Sequence, residues 1–327
     1  MNVLVTGGAG FIGRWVVAAF LGDTPHRVCV LDDFSNSTRL NLREFENEPR
    51  LSAVVKGTVE SGKTLDRVFE SFRPELCVHL AARINVQDSI DGPAATFRSD
   101  VTGTYLLLER CRPGKIPFVF MSTCMVYDRA AGSAGITERH PALPRSPYAA
   151  AKLAGEHLVI SWFHAYRLPA VVLRPFNTYG PFQKTSGEGG VVSIFLHRQM
   201  TGRDLEIFGG GNQTRDLLYV EDCAEFVLRC SLSKKGRGEV FNAATGRDVT
   251  IARLARLVLE SAPEKTASRI RRVAHPHPQS EIMKLRGNAR RAADVFGWKP
   301  ATPLESGIAK TREWLARASS GAGKRQG

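Results

Sequence analysis

The chain has 327 residues, 43% of them hydrophobic and 24% charged, with a mean hydropathy of -0.17, a balance that suits a soluble globular protein with one large core or two unequal ones. Its 17 prolines and 30 glycines follow no period, and no apolar run approaches the roughly 18 residues of a spanning helix, which excludes collagen, wholesale disorder and membrane insertion. The formal charge of +13 raises an anionic partner, so its position along the chain matters.

The opening MNVLVTGGAG reaches a glycine turn within seven residues and has no basic segment ahead of its apolar stretch. It is read as a buried first strand and not a signal peptide, and the protein as cytoplasmic. Short apolar runs at 3–7, 27–33, 52–57, 76–82, 117–123 and 169–175 are predicted strands, with helices at 12–21, 64–72 and 96–110 between them. This alternation predicts an α/β fold, a Rossmann-type doubly wound parallel sheet over residues 1–180 that takes strands back from later segments. After Gly180 a glycine-bearing loop (184–190) leads to a predicted helix, to LEIFGGGNQTRDLLYVED and to the proline-rich HPHPQ at 275–279. Residues 181–318 are read as a smaller α/β substrate-binding part, and 319–327 as a disordered end.

Six cysteines, at 29, 77, 111, 124, 223 and 230, form no C-x-x-C pair and have no clustered histidines beside them. They predict small core residues and no metal site. Between Arg271 and Gly327 twelve Lys/Arg stand against four Asp/Glu, so +8 of the charge belongs to this segment. A solvated basic face, a rim attracting a diphosphate and a nucleic-acid surface are all open readings. No RRM or KH signature supports the last, and no nucleic-acid partner is expected.

Gly7, Gly10 and Gly13 make G-x-x-G-x-x-G directly after a predicted strand and before a predicted helix. There glycines permit a tight turn and close approach to a pyrophosphate, whose charge then lies at the helix N-terminus. Asp32, 19 residues beyond Gly13, stands near the spacing at which a carboxylate accepts from an adenosine ribose. Together with Asp33 it repels a 2′-phosphate and favours NAD over NADP, although Arg39 tempers that argument. Tyr148 and Lys152 lie four apart in SPYAAAKLAGEHLVI, on one face of a predicted helix. A lysine ammonium one turn away stabilises a phenolate, which lowers the tyrosine towards working pH as a general base. Ser122-Thr123 closes a strand upstream of that tyrosine.

With these motifs in place the sequence resembles the extended short-chain dehydrogenase/reductases, in particular their NAD-dependent nucleotide-sugar epimerase/dehydratase group, along nearly its whole length. The motifs are TGGAGFIG (6–13), LDDFSNS (31–37), HLAA (79–82), DVTGT (100–104), STCMVY (122–127), YAAAK (148–152), RPFNTYGP (174–181) and GNQTRDLLYVED (211–222). The resemblance implies NAD held by Gly7, Gly10, Phe11, Ile12, Gly13 and Asp32, with Asn36, Ser37, Leu80, Ala81, Ala82, Tyr148 and Lys152. It implies Thr123, Tyr148 and Lys152 as the catalytic trio, and a nucleoside diphosphate sugar held by Thr123, Asn177 and Arg215. A homodimer is implied as well, pairing the helix that carries Y-x-x-x-K with the helix after D-V-T-G-T. Three positions depart from the family pattern: Thr58 stands for the usual Asp of G-D-[VI], Asp100 for the Asn of N-x-x-G-T, and Asp128 for the Gly after Val-Tyr.

Members of the group make a 4-keto sugar first, and its fate divides them. Dehydratases carry Asp-Glu after the Ser/Thr, whereas this chain carries Cys124-Met125. A thioether cannot act as the base that elimination needs. The leading expectation is a redox-neutral 4-epimerase. The alternatives are a 4,6-dehydratase or a UDP-glucuronate decarboxylase-like enzyme, and outside catalysis a dinucleotide-sensing or RNA-binding scaffold on the same fold.

Overall fold

Residues 1–129, 135–187, 189–262, 267–274 and 282–323 are described by the computed structural model. The proline-rich stretch at 275–279 lies outside them. The first part of the chain runs β1 (Asn2–Thr6), α1 (Phe11–Asp23), β2 (Arg27–Asp32), β3 (Leu51–Lys56), α2 (Gly62–Phe72), β4 (Leu76–His79), α3 (Val86–Asp91), α4 (Pro93–Thr96), α5 (Gly103–Cys111), β5 (Phe118–Met121), α6 (Pro147–Tyr166) and β6 (Ala170–Pro175). It continues through β7 (Asn177–Tyr179), α7 (Val191–Met200), β8 (Leu205–Phe208), β9 (Thr214–Tyr219), α8 (Val220–Leu232) and β10 (Glu239–Ala243). The last elements are β11 (Asp248–Thr250), α9 (Ile251–Glu260), β12 (Ile270–Val273), β13 (Lys284–Leu285), α10 (Arg290–Phe296) and α11 (Leu304–Gly323).

The central sheet has seven strands in the order β10-β6-β5-β4-β1-β2-β3, every pair parallel. Its inner strands are buried on both faces, which is why they read as unbroken apolar runs. Val16 and Phe20 of α1 meet Phe226 and Val227 of α8 on one face of the sheet. Leu65 of α2, Leu107 and Leu108 of α5 and Val159 of α6 fill the other. A separate core joins Phe195 of α7, Leu254 of α9 and Ile308 of α11. It sits beside a small sheet in which β9 pairs with β7, β11 and β13.

Three features differ from the expectations. The helix predicted at 96–110 is interrupted by a π-helical turn, Phe97–Thr102, whose wider winding leaves both Ser99 and Asp100 buried. The seventh strand, EVFNA, was not among the six predicted runs and completes the sheet on the free edge of β6. Helix α11 runs to Gly323, past the start of the expected disordered end, because Leu315 is still buried and the following turn continues from it, with Ser319 Oγ donating to the Leu315 carbonyl at 2.9 Å.

Candidate active site

β1 ends at Thr6, and Gly7 turns the chain with a φ of +70°. A Cβ on Gly7 would stand 2.6 Å from Ala81 N, and one on Gly13 2.0 Å from the Gly7 carbonyl. Those two glycines therefore let α1 and the segment after β4 pack onto the turn. Gly10 differs: an added Cβ there meets only the Gly7 carbonyl, at 3.1 Å. As the N-cap of α1 it brings no capping side chain, so the first-turn amides stay available to an anion at a helix N-terminus.

At the end of β2, Asp32 Oδ2 accepts from Ala9 N at 2.9 Å, while Oδ1 accepts from Phe34 N at 2.9 Å and Ser37 Oγ at 2.9 Å. A carboxylate has about four lone-pair sites. Three are filled by the protein, which leaves one on Oδ2 for a ribose hydroxyl. Asn36 accepts from Lys184, which reaches across from the loop before α7. Arg39 is exposed and is not among the described residues lining this cleft, whereas Asp32 and Asp33 are. The residues fit a dinucleotide.

The residues expected to hold cofactor or substrate, or to act in catalysis, all line one cleft of about 1350 Å³, from Gly7, Gly10, Phe11, Ile12, Gly13, Asp32, Asn36 and Ser37, past Leu80, Ala81 and Ala82, to Thr123, Tyr148, Lys152, Asn177 and Arg215. That volume exceeds the roughly 300–1,000 Å³ of a pocket for one small ligand. It has room for a dinucleotide and a second nucleotide end to end.

Tyr148 and Lys152 sit in the first turns of α6, which Ser146 caps by accepting from Ala149 N at 3.2 Å, with Pro147 next. Both are buried at the cleft wall. The Lys152 ammonium lies 4.3 Å from the centre of the Phe120 ring. Burial lowers its pKa, and the Asp100 and Glu156 carboxylates oppose that. The Tyr148 phenol is pushed up, first by burial and then by the Asp100 charge, while a hydrogen bond with Thr123 works the other way. The lowering expected of Tyr148 is therefore not seen: burial and the Asp100 charge outweigh the hydrogen bond with Thr123.

Behind this pair lies a fully buried polar network. Glu156 accepts from Ser122 Oγ and from both Nε (2.8 Å) and Nη2 of Arg174. The Arg174 guanidinium lies over the Tyr127 ring at 4.6 Å, and Tyr127 Oη donates to Asn242 Oδ1 at 2.7 Å. Ser122 and Thr123 at the end of β5 are fixed by this network, which ties them to β6 and β10.

The far end of the cleft is built on β7 and β9. Their register sets Asn177 opposite Leu217, two residues from Arg215 and so on the same face. Arg215 Nη1 donates to the carbonyls of Thr214 (2.8 Å) and Ile282 (2.9 Å), which aims the fork. Asn177 Oδ1 is buried without a hydrogen-bond partner. His197, Arg198, Arg203 and Lys184 also line the cleft. The sequence reading passed over them, although HRQMTGR (197–203) gathers three basic side chains into seven residues shortly after a glycine-bearing loop.

None of the described residues beyond Ile251 lines the cleft, so the described part of the basic C-terminal segment contributes no diphosphate rim. Arg290 pairs with Asp294, Arg291 with Glu239, Lys310 with Glu221 and Arg317 with Glu313, all at exposed positions. They make a solvated face.

A family model described as "NAD dependent epimerase/dehydratase family" matches residues 3–244. The chain belongs to that family. It is accordingly an NAD-dependent enzyme of nucleotide-sugar chemistry. Over 98% of its length it is 35% identical to the whole of a UDP-glucose 4-epimerase of Mycolicibacterium smegmatis. It is 33% identical to a dTDP-glucose 4,6-dehydratase of Neisseria gonorrhoeae, over 96% of this chain and 95% of that one. Among solved structures, Pal from Bacillus thuringiensis is 50% identical with a TM-score of 0.93, covering 97% of this chain and all of the other. Among the described residues no helix is long and apolar enough to cross a membrane.

Proposed function

We propose that the protein is an NAD-dependent nucleotide-sugar 4-epimerase that works through a transient 4-keto sugar. The observation that carries the choice within the family is the cleft's acid inventory. Among the described residues its lining carboxylates are Asp32, Asp33 and Glu206. The first two belong to the dinucleotide end, and Glu206 is held by Arg198 and Arg271. None stands beside Thr123 and Tyr148, where elimination of water requires a base at C5. Cys124 has its thiol pushed up to about 12 by burial, so it stays protonated and is no base. Met125 has no proton to move.

Tyr148 takes the proton of the sugar 4-hydroxyl, with Lys152 one turn away offsetting the charge that develops on its oxygen. Thr123 hydrogen-bonds O4 and holds it beside Tyr148. When bound, NAD supplies the hydride acceptor at C4 and gives the hydride back. Asn177 and Arg215 grip the diphosphate end, the latter with a fork suited to phosphate oxygens. With C5 untouched, the ketone turns over against the apolar wall at Met125 and is reduced on its other face, Tyr148 returning the proton. A homodimer through α5 and α6 is part of this reading, supported by the exposed Phe97, Tyr105 and Tyr166 on those helices and the turn before α5. So is a cytoplasmic location, supported by six buried, unpaired cysteines.

The test is a panel of UDP- and dTDP-sugars incubated with the protein in D2O and followed by NMR. The expected product is a C4 epimer with no deuterium at C4, C5 or C6. Deuterium at C5 with loss of water overturns the epimerase reading.

A further inference from the structure

The loop that joins β7 to α7 is fastened to the dinucleotide half of the molecule at two places. At its root, Trp15 Nε1 of α1 donates to the Pro181 carbonyl at 3.2 Å. Phe182, a non-glycine residue with a φ of +70°, centres its ring 4.1 Å from the Arg14 guanidinium carbon. The same ring packs against Trp15 and against Trp314 of α11, with centres 6.1 and 4.8 Å apart. A bulky side chain keeps that backbone conformation only where its contacts hold it there. At the tip, the Lys184 ammonium donates to Asn36 Oδ1, beyond the end of β2. Between them Gln183 is pinned on the substrate side: Nε2 donates to the Thr178 carbonyl and Oε1 accepts from Ser193 Oγ of α7, both at 3.0 Å.

The two attachments flank the place prepared for the cofactor. Arg14 and Trp15 directly follow Gly13 in the helix that faces the pyrophosphate, and Asn36 follows Asp32, the carboxylate that meets the ribose. Asn36, Phe182, Gln183 and Lys184 all line the cleft, so the Lys184–Asn36 link crosses it from one half of the chain to the other. That link joins an ammonium to a neutral amide, and both residues are exposed. A hydrogen bond of this kind is strong enough to slow an opening and weak enough to permit one.

We propose that Lys184 is a cofactor-retaining residue, whose link to Asn36 latches the loop of residues 181–187 over a bound dinucleotide and opens to let it enter and leave. Phe182, held by α1 and α11, is the fixed root of the latch, and Lys184 is its moving tip. An enzyme that takes a hydride from its substrate and gives it back has to keep the reduced cofactor for the interval between, since its early loss strands the ketone. That purpose rests on the epimerase reading. The latch itself rests only on the fit of the cleft to a dinucleotide, and its test uses no sugar.

The experiment loads the full-length protein with NADH and chases it with excess NAD+ by stopped flow, the decay of bound-NADH fluorescence giving the release rate. Mixing NADH with cofactor-free protein gives the association rate. Lys184→Met is expected to speed release roughly tenfold, the lower end of what a hydrogen bond to a charged group contributes, and not to slow association. Asn36→Asp turns the link into an ion pair and is expected to slow release when Lys184 is present but not when it is methionine, a coupling that a double-mutant cycle isolates. Release unchanged in Lys184→Met overturns the proposal, including the case where association alone slows, which would make Lys184 a cation that merely attracts the dinucleotide. An equal effect of Asn36→Asp in both backgrounds overturns it as well. Both side chains are exposed, so neither variant disturbs a core. A protein that acts on no sugar of the panel yet gives these release rates loses the epimerase reading and keeps the latch.

Discussion

Tyr148 meets two opposing demands: it must be sheltered enough to face a sugar hydroxyl in a dry site, yet give up its proton. Burial and the Asp100 charge push its phenol up, and the hydrogen bond with Thr123 works against them. Tyr148→Phe removes the acid–base group while keeping the ring. We expect turnover to fall on the order of 10²–10⁴-fold, with nucleotide-sugar affinity by calorimetry largely unchanged. Undiminished turnover would end the assignment. The sequence brought these residues to notice because a glycine turn, a carboxylate at a strand end and a Tyr-Lys pair are local patterns with local physical causes. It also marked Asp100 as a departure, but not its complete burial, since burial depends on what distant segments bring to a side chain. His197, Arg198 and Arg203 escaped for a related reason: their cleft exists only once α7 has docked against α9 and β8.

Between residue and fold, short polar links fasten one element to the next. His79 joins β1 to α5 by accepting or donating between Thr6 and Thr104, and burial holds its pKa well below 6.5. The folded chain therefore leaves this imidazole neutral, while the unfolded chain protonates it below about pH 6.5. Stability tied to His79 is complete above that pH and drains away as the pH falls, by up to ~1.4 kcal/mol per unit. Urea titrations at pH 7, 6 and 5.5 should give a shallower loss for His79→Gln than for wild type; equal slopes would assign the acid sensitivity elsewhere. The strands were legible for a different reason. A parallel strand covered on both faces has to be apolar throughout, and that signal survives in VLVT, VCVL and FVFM. β10 was missed because EVFNA begins with an exposed glutamate and carries a buried asparagine, Asn242, which together leave no apolar run. The π turn was missed because FRSDVT carries no mark that separates it from an ordinary helix.

For the whole molecule, the helix after D-V-T-G-T was expected to pair with a partner chain, and its apolar residues divide between subunit core and surface. Leu107 and Leu108 are fully buried within the subunit, whereas Tyr105 is 42% and Phe97 58% exposed. Tyr105 stacks edge-on against Trp162 of α6, with ring centres 6.0 Å apart, so one aromatic surface spans both helices. Light scattering at micromolar concentration should give twice the 35.9 kDa of the chain, and Tyr105→Glu should shift the protein towards the monomer. A wild-type monomer would refute the dimer.

The return of β10 to β6 bears on how the protein is made. A ribosome that has released the first 180 residues has delivered every motif of the dinucleotide half but not its finished sheet. The open edge of β6 waits for residues 239–243, and the apolar face of α1 waits for Phe226 and Val227 of α8. Throughout that interval of synthesis the nascent chain carries an unpaired strand edge and an uncovered helix face, the two features that invite association with other chains. The stretch of translation from β6 to β10 is therefore where this protein depends most on a chaperone, and where pausing would cost the most yield.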